Sequence, residues 1–144
     1  MSDPADREAG PILGLDLGQA RIGVAISDPG RRVAVPLGTI RTGAPADVKA
    51  IAELVRANEI SAIVVGLPLT LSGEVKEAAD HARRFAEALR GFMGIPVHLQ
   101  DERLTTVEAE RGLSAAGLRG RERREVVDQA AATLILQAFL DRSR

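Results

Sequence analysis

The chain contains no cysteine, no tyrosine and no tryptophan, and it has only three phenylalanines in 144 residues. Without cysteine, a disulfide, a thiolate metal site and a cysteine nucleophile are all excluded. With so few aromatic rings, stacking on nucleic-acid bases is not expected, so a nucleic-acid partner would be held mainly through its backbone. Oxygen and imidazole groups are therefore the metal ligands that remain.

The sequence also lacks an apolar run of the roughly 18 residues that a membrane-spanning helix needs, and no signal-peptide pattern opens it. We therefore expect a cytoplasmic protein without a membrane partner. The formal net charge of -1 gives no global attraction to nucleic acid. Lysine is scarce, because Lys49 and Lys76 are the only lysines among 19 basic residues. The abundant arginines suit phosphate oxygens, although a GC-rich coding bias would also explain them.

The first part of the chain reads as a tail followed by strands. Residues 1–10 are polar and aperiodic, which predicts a flexible tail ahead of a single domain over residues 11–144. Two short apolar runs, "PILGLDLG" and "RIGVAISDP", are separated by turn residues, as in a hairpin. A third strand is predicted over "RRVAVPLGTI". Three antiparallel strands are therefore expected to open the fold.

Helices and strands then alternate. A helical period runs from Pro45 to Asn58, and "SAIVVGLPL" has the continuous apolar character of a buried parallel strand. After a second helix, a fifth strand over "IPVHLQ" precedes a short helix from Thr105 to Gly117 and a last helix through Leu140. The second helix is marked by Val75, Ala78, Ala79, Ala82, Phe85, Ala86 and Leu89. This order predicts an α/β fold in which a mixed five-stranded sheet, with three antiparallel strands first and parallel crossovers after, is flanked by helices.

Three acidic residues stand in apolar or strand-end surroundings. Asp16 interrupts the apolar run "GLDLG", where a buried carboxylate is costly unless it has partners; hydrogen bonds to the amides of the following turn are one alternative. Asp101 and Glu102 end a strand, and because side chains alternate, at most one can share a face with a given neighbour. An ordinary polar strand end, with Arg103 as ion-pair partner, would also account for them.

Asp128 begins an apolar helical stripe, so its side chain is expected to face the core. A position in an early helical turn, favourable to the helix dipole, is the alternative reading. The stripe consists of Asp128, Ala131, Ala132, Ile135, Leu136 and Phe139. Three inward acids would repel one another unless neutralised, and a carboxylate cluster suits Mg²⁺ or Mn²⁺, with two ions in the arrangement that cleaves phosphodiesters.

Four blocks resemble one known family. "GLDLGQARIGVAISD", "VVGLPLTLSGEV", "DERLTTVEA" and "VDQAAATLILQAFL" occur in order between Ile12 and Leu140, and together they resemble the YqgF family, also called RuvX, of Holliday junction resolvases and pre-16S rRNA nucleases. The resemblance implies a ribonuclease H-like fold. It also implies that Asp16, Glu102 and Asp128 are the catalytic, metal-binding acids, with Asp101 in support, and that cleavage leaves 5′-phosphate and 3′-hydroxyl ends.

Other residues fit substrate-binding roles, and each has a plainer alternative. Gly18 permits a tight turn beside Asp16, but any hairpin could use it there. The loop after the fourth strand could approach the substrate backbone, or could simply connect a strand to a capped helix. The arginines near the last helix could contact phosphates, or could form a solvated face with interspersed glutamates. These candidates are Gly18, Thr70, Ser72, Gly73, Arg103, Arg119, Arg121, Arg123 and Arg124. His81 and His98 are expected to be structural or surface residues.

Two other functions compete with a nuclease. A non-catalytic RNA-binding factor for ribosome assembly could retain the fold and the acids. An actin-like or sugar-kinase-type ATP-binding fragment could also begin with an acid-glycine hairpin, but a second phosphate loop is not visible. The sequence leaves open whether precursor ribosomal RNA or branched DNA is the substrate, whether cleavage is internal, and whether the protein is a monomer or a homodimer.

Overall fold

The computed structural model describes residues 10–68, 76–102 and 120–143, and for residues 121–124 it describes the backbone alone. The strands are β1 (Ile12–Leu17), β2 (Arg21–Ser27), β3 (Ala34–Arg41), β4 (Ala62–Leu67) and β5 (Val97–Asp101). Three helices lie in the described part of the chain: α1 (Ala46–Ala57), α2 (Lys76–Met93) and α3 (Gly120–Arg142). The predicted short helix from Thr105 to Gly117 and nearly all of the predicted tail lie outside the described residues.

The five strands form one mixed sheet in the order β3-β2-β1-β4-β5. The pairs β1–β2 and β2–β3 are antiparallel, whereas β1–β4 and β4–β5 are parallel. The predicted α/β architecture is therefore confirmed. Because crossovers return each parallel strand in the same direction, the carboxyl ends of β1, β4 and β5 lie at one edge of the layer, which also holds the start of β2 and the end of β3.

Alternation along the strands divides the apolar residues between two cores. On one face Leu13, Leu15 and Val65 pack with buried side chains of α1 and α2, among them Ile51 and Leu89. On the other face, strand side chains pack against a set of α3 residues: Ala131, Ala132, Ile135, Leu136 and Leu140. This confirms the core-facing stripe predicted for the last helix.

Two details of the helices differ from the sequence prediction. Helix α1 begins at Ala46, one residue after Pro45, and ends at Ala57, next to the end expected at Asn58. In α2, Ala78 is exposed although it falls on the predicted apolar stripe, because that first turn borders a groove instead of the core. None of the helices in the described ranges is both long and apolar enough to cross a membrane.

Candidate active site

Asp16 is a buried acid near the carboxyl end of β1. Its neighbours Leu15 and Leu17 face the core under α1 and α2, so alternation turns Asp16 towards α3, together with Gly14. Only 5% of Asp16 is exposed to solvent. The acid inferred from the sequence therefore sits beneath the last helix at the edge of the sheet where the three parallel strands end.

Glycines on this face allow α3 to lie unusually close to the sheet. A Cβ atom at Gly14 would stand 2.7 Å from the Cβ of Leu136. At Gly23, which is the register partner of Asp16 in β2, a Cβ would stand only 2.0 Å from the carbonyl oxygen of Asp128. The backbone of Asp128 thus rests directly on β2, one strand away from Asp16, a separation of about 4.8 Å between strands.

Glu102 approaches Asp16 from the opposite side. A Cβ at Gly66 would stand 3.2 Å from Glu102 Oε2, so the carboxylate occupies the space above a glycine of β4. The β1–β4 register pairs Leu15 with Val65, which makes Gly66 the neighbour of Asp16 at the next position. Alternation after Gln100 then leaves Asp101 on the α2 side of the sheet. Of the two adjacent acids, Glu102 is therefore the one that faces Asp16.

The three acids follow one row across the sheet, with Asp128 above β2, Asp16 on β1 and Glu102 above β4. Asp16 is on the strand between the two glycines, Gly23 and Gly66, over which the other two acids are placed. Among the described side chains, no three histidine, aspartate or glutamate residues come close enough to surround a single metal ion. The donor set consists of carboxylate oxygens, which are ligands that Mg²⁺ and Mn²⁺ prefer.

Arg21 places a positive charge beside these acids. Its Nε atom lies 3.8 Å from Asp128 Oδ2, and the two side chains are 18% and 24% exposed. The sequence analysis assigned Arg21 no role. Alternation along β2 predicts that Arg21 shares a face with Gly23, two residues later. Its pairing with Asp128 could not be predicted, because it depends on how α3 crosses β2.

The turn between β1 and β2 is closed by short backbone contacts. The Gly18 amide donates to the Arg21 carbonyl at 3.0 Å, and Thr42 Oγ1 donates to the Gly18 carbonyl at 2.8 Å. A Cβ at Gly18 would stand 2.5 Å from the Arg21 carbonyl oxygen, so this turn requires glycine. The tight turn predicted beside Asp16 is present.

An open groove of about 840 Å³ runs along this edge of the sheet. Gly18, Gly66 and Glu102 line it, together with Lys76 and His81 from the first turns of α2. Neither Lys76 nor His81 received a functional role in the sequence analysis, because only the crossover after β4 brings them to this edge. The groove gives an extended ligand access to Glu102.

His98 is placed away from the acids, at the start of β5. Its ring stacks on Phe139 with 5.1 Å between ring centroids. Burial of the imidazole, together with the nearby charges of Arg90, Arg31 and Arg142, lowers the pKa of His98 below its ordinary value. These contacts agree with the structural role expected for it. Eight of the nine substrate-binding candidates cannot be placed by their side chains. Five lie outside the described residues: Thr70, Ser72, Gly73, Arg103 and Arg119. For the other three, Arg121, Arg123 and Arg124, only the backbone is described.

Comparisons with known proteins find relatives over nearly the whole chain. The family model described as "RuvX: Holliday junction resolvase" matches residues 10–142. A protein of Roseiflexus sp. named "Putative pre-16S rRNA nuclease" is 44% identical over 138 residues, covering 95% of this chain and 98% of its own length. A protein of Moorella thermoacetica with the same name is 50% identical over 132 residues, covering 91% and 94%.

A solved structure supports the fold. The structure of T. thermophilus RuvC in complex with Holliday junction substrate has a TM-score of 0.55 and covers 93% of this chain and 96% of that chain, at 17% identity. This likeness, together with the mixed five-stranded sheet, confirms the ribonuclease H-like architecture expected from the resemblance. With a family match over nearly the whole chain and relatives at 44% and 50% identity, the chain belongs to the RuvX family of nucleases.

Proposed function

We propose that this nuclease cleaves phosphodiester bonds of structured nucleic acid in a reaction that depends on Mg²⁺ or Mn²⁺ and on Asp16, Glu102 and Asp128. One observation carries the proposal: a buried acid at the end of β1 lies between two further acids held over glycines of the adjacent strands. Like charges this close together repel, and bound divalent cations would offset that repulsion. Asp16 is the central one of the three acids that would hold the cations.

The chain's own groups have separate tasks in this proposal. The three carboxylates would hold the cations, which when bound activate water and stabilise the leaving oxygen of a phosphodiester. Helix α3 and the glycines of the sheet position Asp128 against Asp16, and Arg21 orients the Asp128 carboxylate through their ion pair. The groove beside Glu102 admits the strand to be cut.

The names of the relatives and of the family model suggest two substrates. The relatives carry the name of a pre-16S rRNA nuclease, and the family model carries that of a Holliday junction resolvase. Both substrates are phosphodiesters, and the same three acids would serve either. We propose precursor 16S rRNA and four-way DNA junctions as the two substrates to compare, with a monomer or a homodimer as the working form.

The test compares wild type with Asp16→Asn and with Asp141→Asn on two labelled substrates, a 5′-extended 16S rRNA fragment and a four-way DNA junction, with Mg²⁺, Mn²⁺ or chelator. Asp141 is a matched control because it lies on α3, 13 residues after Asp128 and so about 20 Å further along the helix. We expect cleavage that requires metal, is lost in Asp16→Asn and is retained in Asp141→Asn.

Thermal unfolding provides a second readout that does not need the substrate. A cation that binds the folded state raises the unfolding temperature, so Mg²⁺ or Mn²⁺ should stabilise wild type and Asp141→Asn but not Asp16→Asn. If Asp16→Asn cleaves as well as wild type, the proposed role of Asp16 is wrong. If wild type binds RNA but cuts neither substrate, a binding factor for ribosome assembly becomes the better explanation.

A further inference from the structure

Two arginines lie directly opposite each other on neighbouring strands. Arg21 opens β2 and Arg41 ends β3, and the antiparallel register pairs them. Opposed residues share a face, and Arg21 shares its face with Gly23, so both side chains emerge on the α3 side. Like charges in direct cross-strand contact destabilise a sheet. The fold therefore maintains a concentration of positive charge at this edge despite its cost.

The acids of this region offset that charge only in part. Arg21 has Asp128 at 3.8 Å, which is longer than a hydrogen bond. Arg41 is exposed, and within the described part of the chain its guanidinium forms no hydrogen bond or ion pair. Glu125 of α3 is on the same side. The guanidinium of Arg41 therefore remains available to an anion from outside the protein.

The two arginines line a groove of about 660 Å³. Its walls also carry the hydroxyl group of Thr39 and the amide of Gln19, both of which can donate hydrogen bonds to phosphate oxygens, and Thr42 completes the lining. Gln19 and Thr42 line the groove beside Glu102 as well. The two grooves therefore adjoin at the β1–β2 turn.

We propose that Arg21 and Arg41 form a phosphate-binding subsite for the same nucleic-acid strand that is cut at Asp16. The inference rests on the proposed function. Arg41 stands two strands and two residues from Asp16, which places its Cα about 12 Å away in the plane of the sheet. A strand lying across the β1–β2 turn can reach both grooves at that distance. Arg21 then has two contacts, one with Asp128 and one with the strand, whereas Arg41 only binds the strand.

Binding measured against salt concentration tests the subsite without any cleavage. The probes are a fluorescent four-way DNA junction and a fluorescent 5′-extended 16S rRNA fragment, both in chelator. The key variant is Arg41→Gln, because Arg41 is exposed and its loss should not affect folding. Arg56→Gln is the matched control, since Arg56 is an exposed arginine of α1 that is ion-paired with Glu53. Arg41→Lys keeps the charge.

Each lost phosphate contact lowers the slope of log affinity against log salt by about 0.7 to 0.9. For Arg41→Gln, the loss of affinity between about 50 mM and about 200 mM salt should therefore be about threefold smaller than for wild type. Arg41→Lys and Arg56→Gln should keep the wild-type slope. Arg21→Gln should lower the slope and also reduce cleavage, because it removes the partner of Asp128.

The outcomes separate this inference from the function on which it rests. If wild type binds at least one probe and Arg41→Gln keeps the full slope, the subsite is wrong, while the nuclease proposal stands on its own cleavage data. If Arg56→Gln lowers the slope as much as Arg41→Gln, the effect is one of general charge, and the subsite is again wrong. If wild type neither binds nor cuts either probe, both proposals fall.

Discussion

Gly23→Ala tests whether the contact between α3 and β2 positions Asp128. The added Cβ would stand 2.0 Å from the Asp128 carbonyl oxygen and 2.5 Å from its carbonyl carbon. An ordinary contact between carbon and oxygen is about 3.3 Å, so the helix backbone would have to move away by about 1.3 Å. Because the atoms in conflict belong to backbone, no side-chain rotation relieves the clash.

The expected cost follows from that displacement. Overpacking a well-packed contact lowers the free energy of unfolding by about 1–3 kcal/mol. A clash with helix backbone should fall at the upper end of that range, because backbone cannot rotate away. For a chain of this size, about 3 kcal/mol lowers the unfolding temperature by about 10 °C. Moving Asp128 by more than about 1 Å relative to Asp16 should also reduce cleavage by about 100-fold. The Arg21–Asp128 ion pair would be disturbed at the same time.

The assay is thermal unfolding followed by cleavage of the preferred substrate, measured well below the unfolding temperature of the variant. Gly38→Ala is the matched control, because Gly38 lies on the neighbouring strand β3 and a Cβ there would meet no heavy atom of the described residues within 4 Å. It should differ little from wild type in both measurements. If Gly23→Ala unfolds at the wild-type temperature and cleaves normally, α3 does not rest on β2 as described.

Three further predictions concern single side chains. Gln100 is 1% exposed, and among the described residues its Oε1 has no hydrogen-bond partner. Gln100→Met should therefore raise the free energy of unfolding by about 1 kcal/mol in a denaturant titration; a loss of stability would mean that the oxygen has a partner. The lowered pKa of His98 means that the folded state binds fewer protons than the unfolded state, so stability should fall as the pH drops through about 6.5, and His98→Gln should flatten that part of the unfolding profile. Hydrogen bonds from the Val33 and Arg32 amides lower the pKa of Asp28. Its contribution to the free energy of unfolding should therefore be present above about pH 4 and be lost as the pH falls through its pKa in the folded state. Asp28→Ala should be less stable than wild type at neutral pH, and the two unfolding free energies should converge in acid.

The strands and helices were predictable because their signals are local. Short apolar runs at hairpin spacing in β1 and β2, and a period near 3.6 in α1 and α3, depend only on neighbours along the chain. The same local patterns singled out Asp16 as an acid in an apolar run and Asp128 as the polar member of an apolar stripe. The alternation rule also established that only one of Asp101 and Glu102 could face Asp16.

Relations across the sheet could not be obtained in this way. No pattern within β2 shows that the register places Gly23 opposite Asp16, or that a helix more than 100 residues later rests on that glycine. The pairing of Arg21 with Arg41, and the arrival of Lys76 and His81 beside Glu102, likewise depend on strand pairing and crossovers. The sequence by itself therefore determined the elements and the strand faces, because short-range sterics and periodicity decide these. It also singled out Asp16, Asp128 and the adjacent acids Asp101 and Glu102, and the resemblance to the RuvX family selected Glu102 from that pair. Only the tertiary structure decided which strand each acid lies over and which basic side chains lie beside it. The physical reason is that strand register and helix docking are set by contacts between distant parts of the chain.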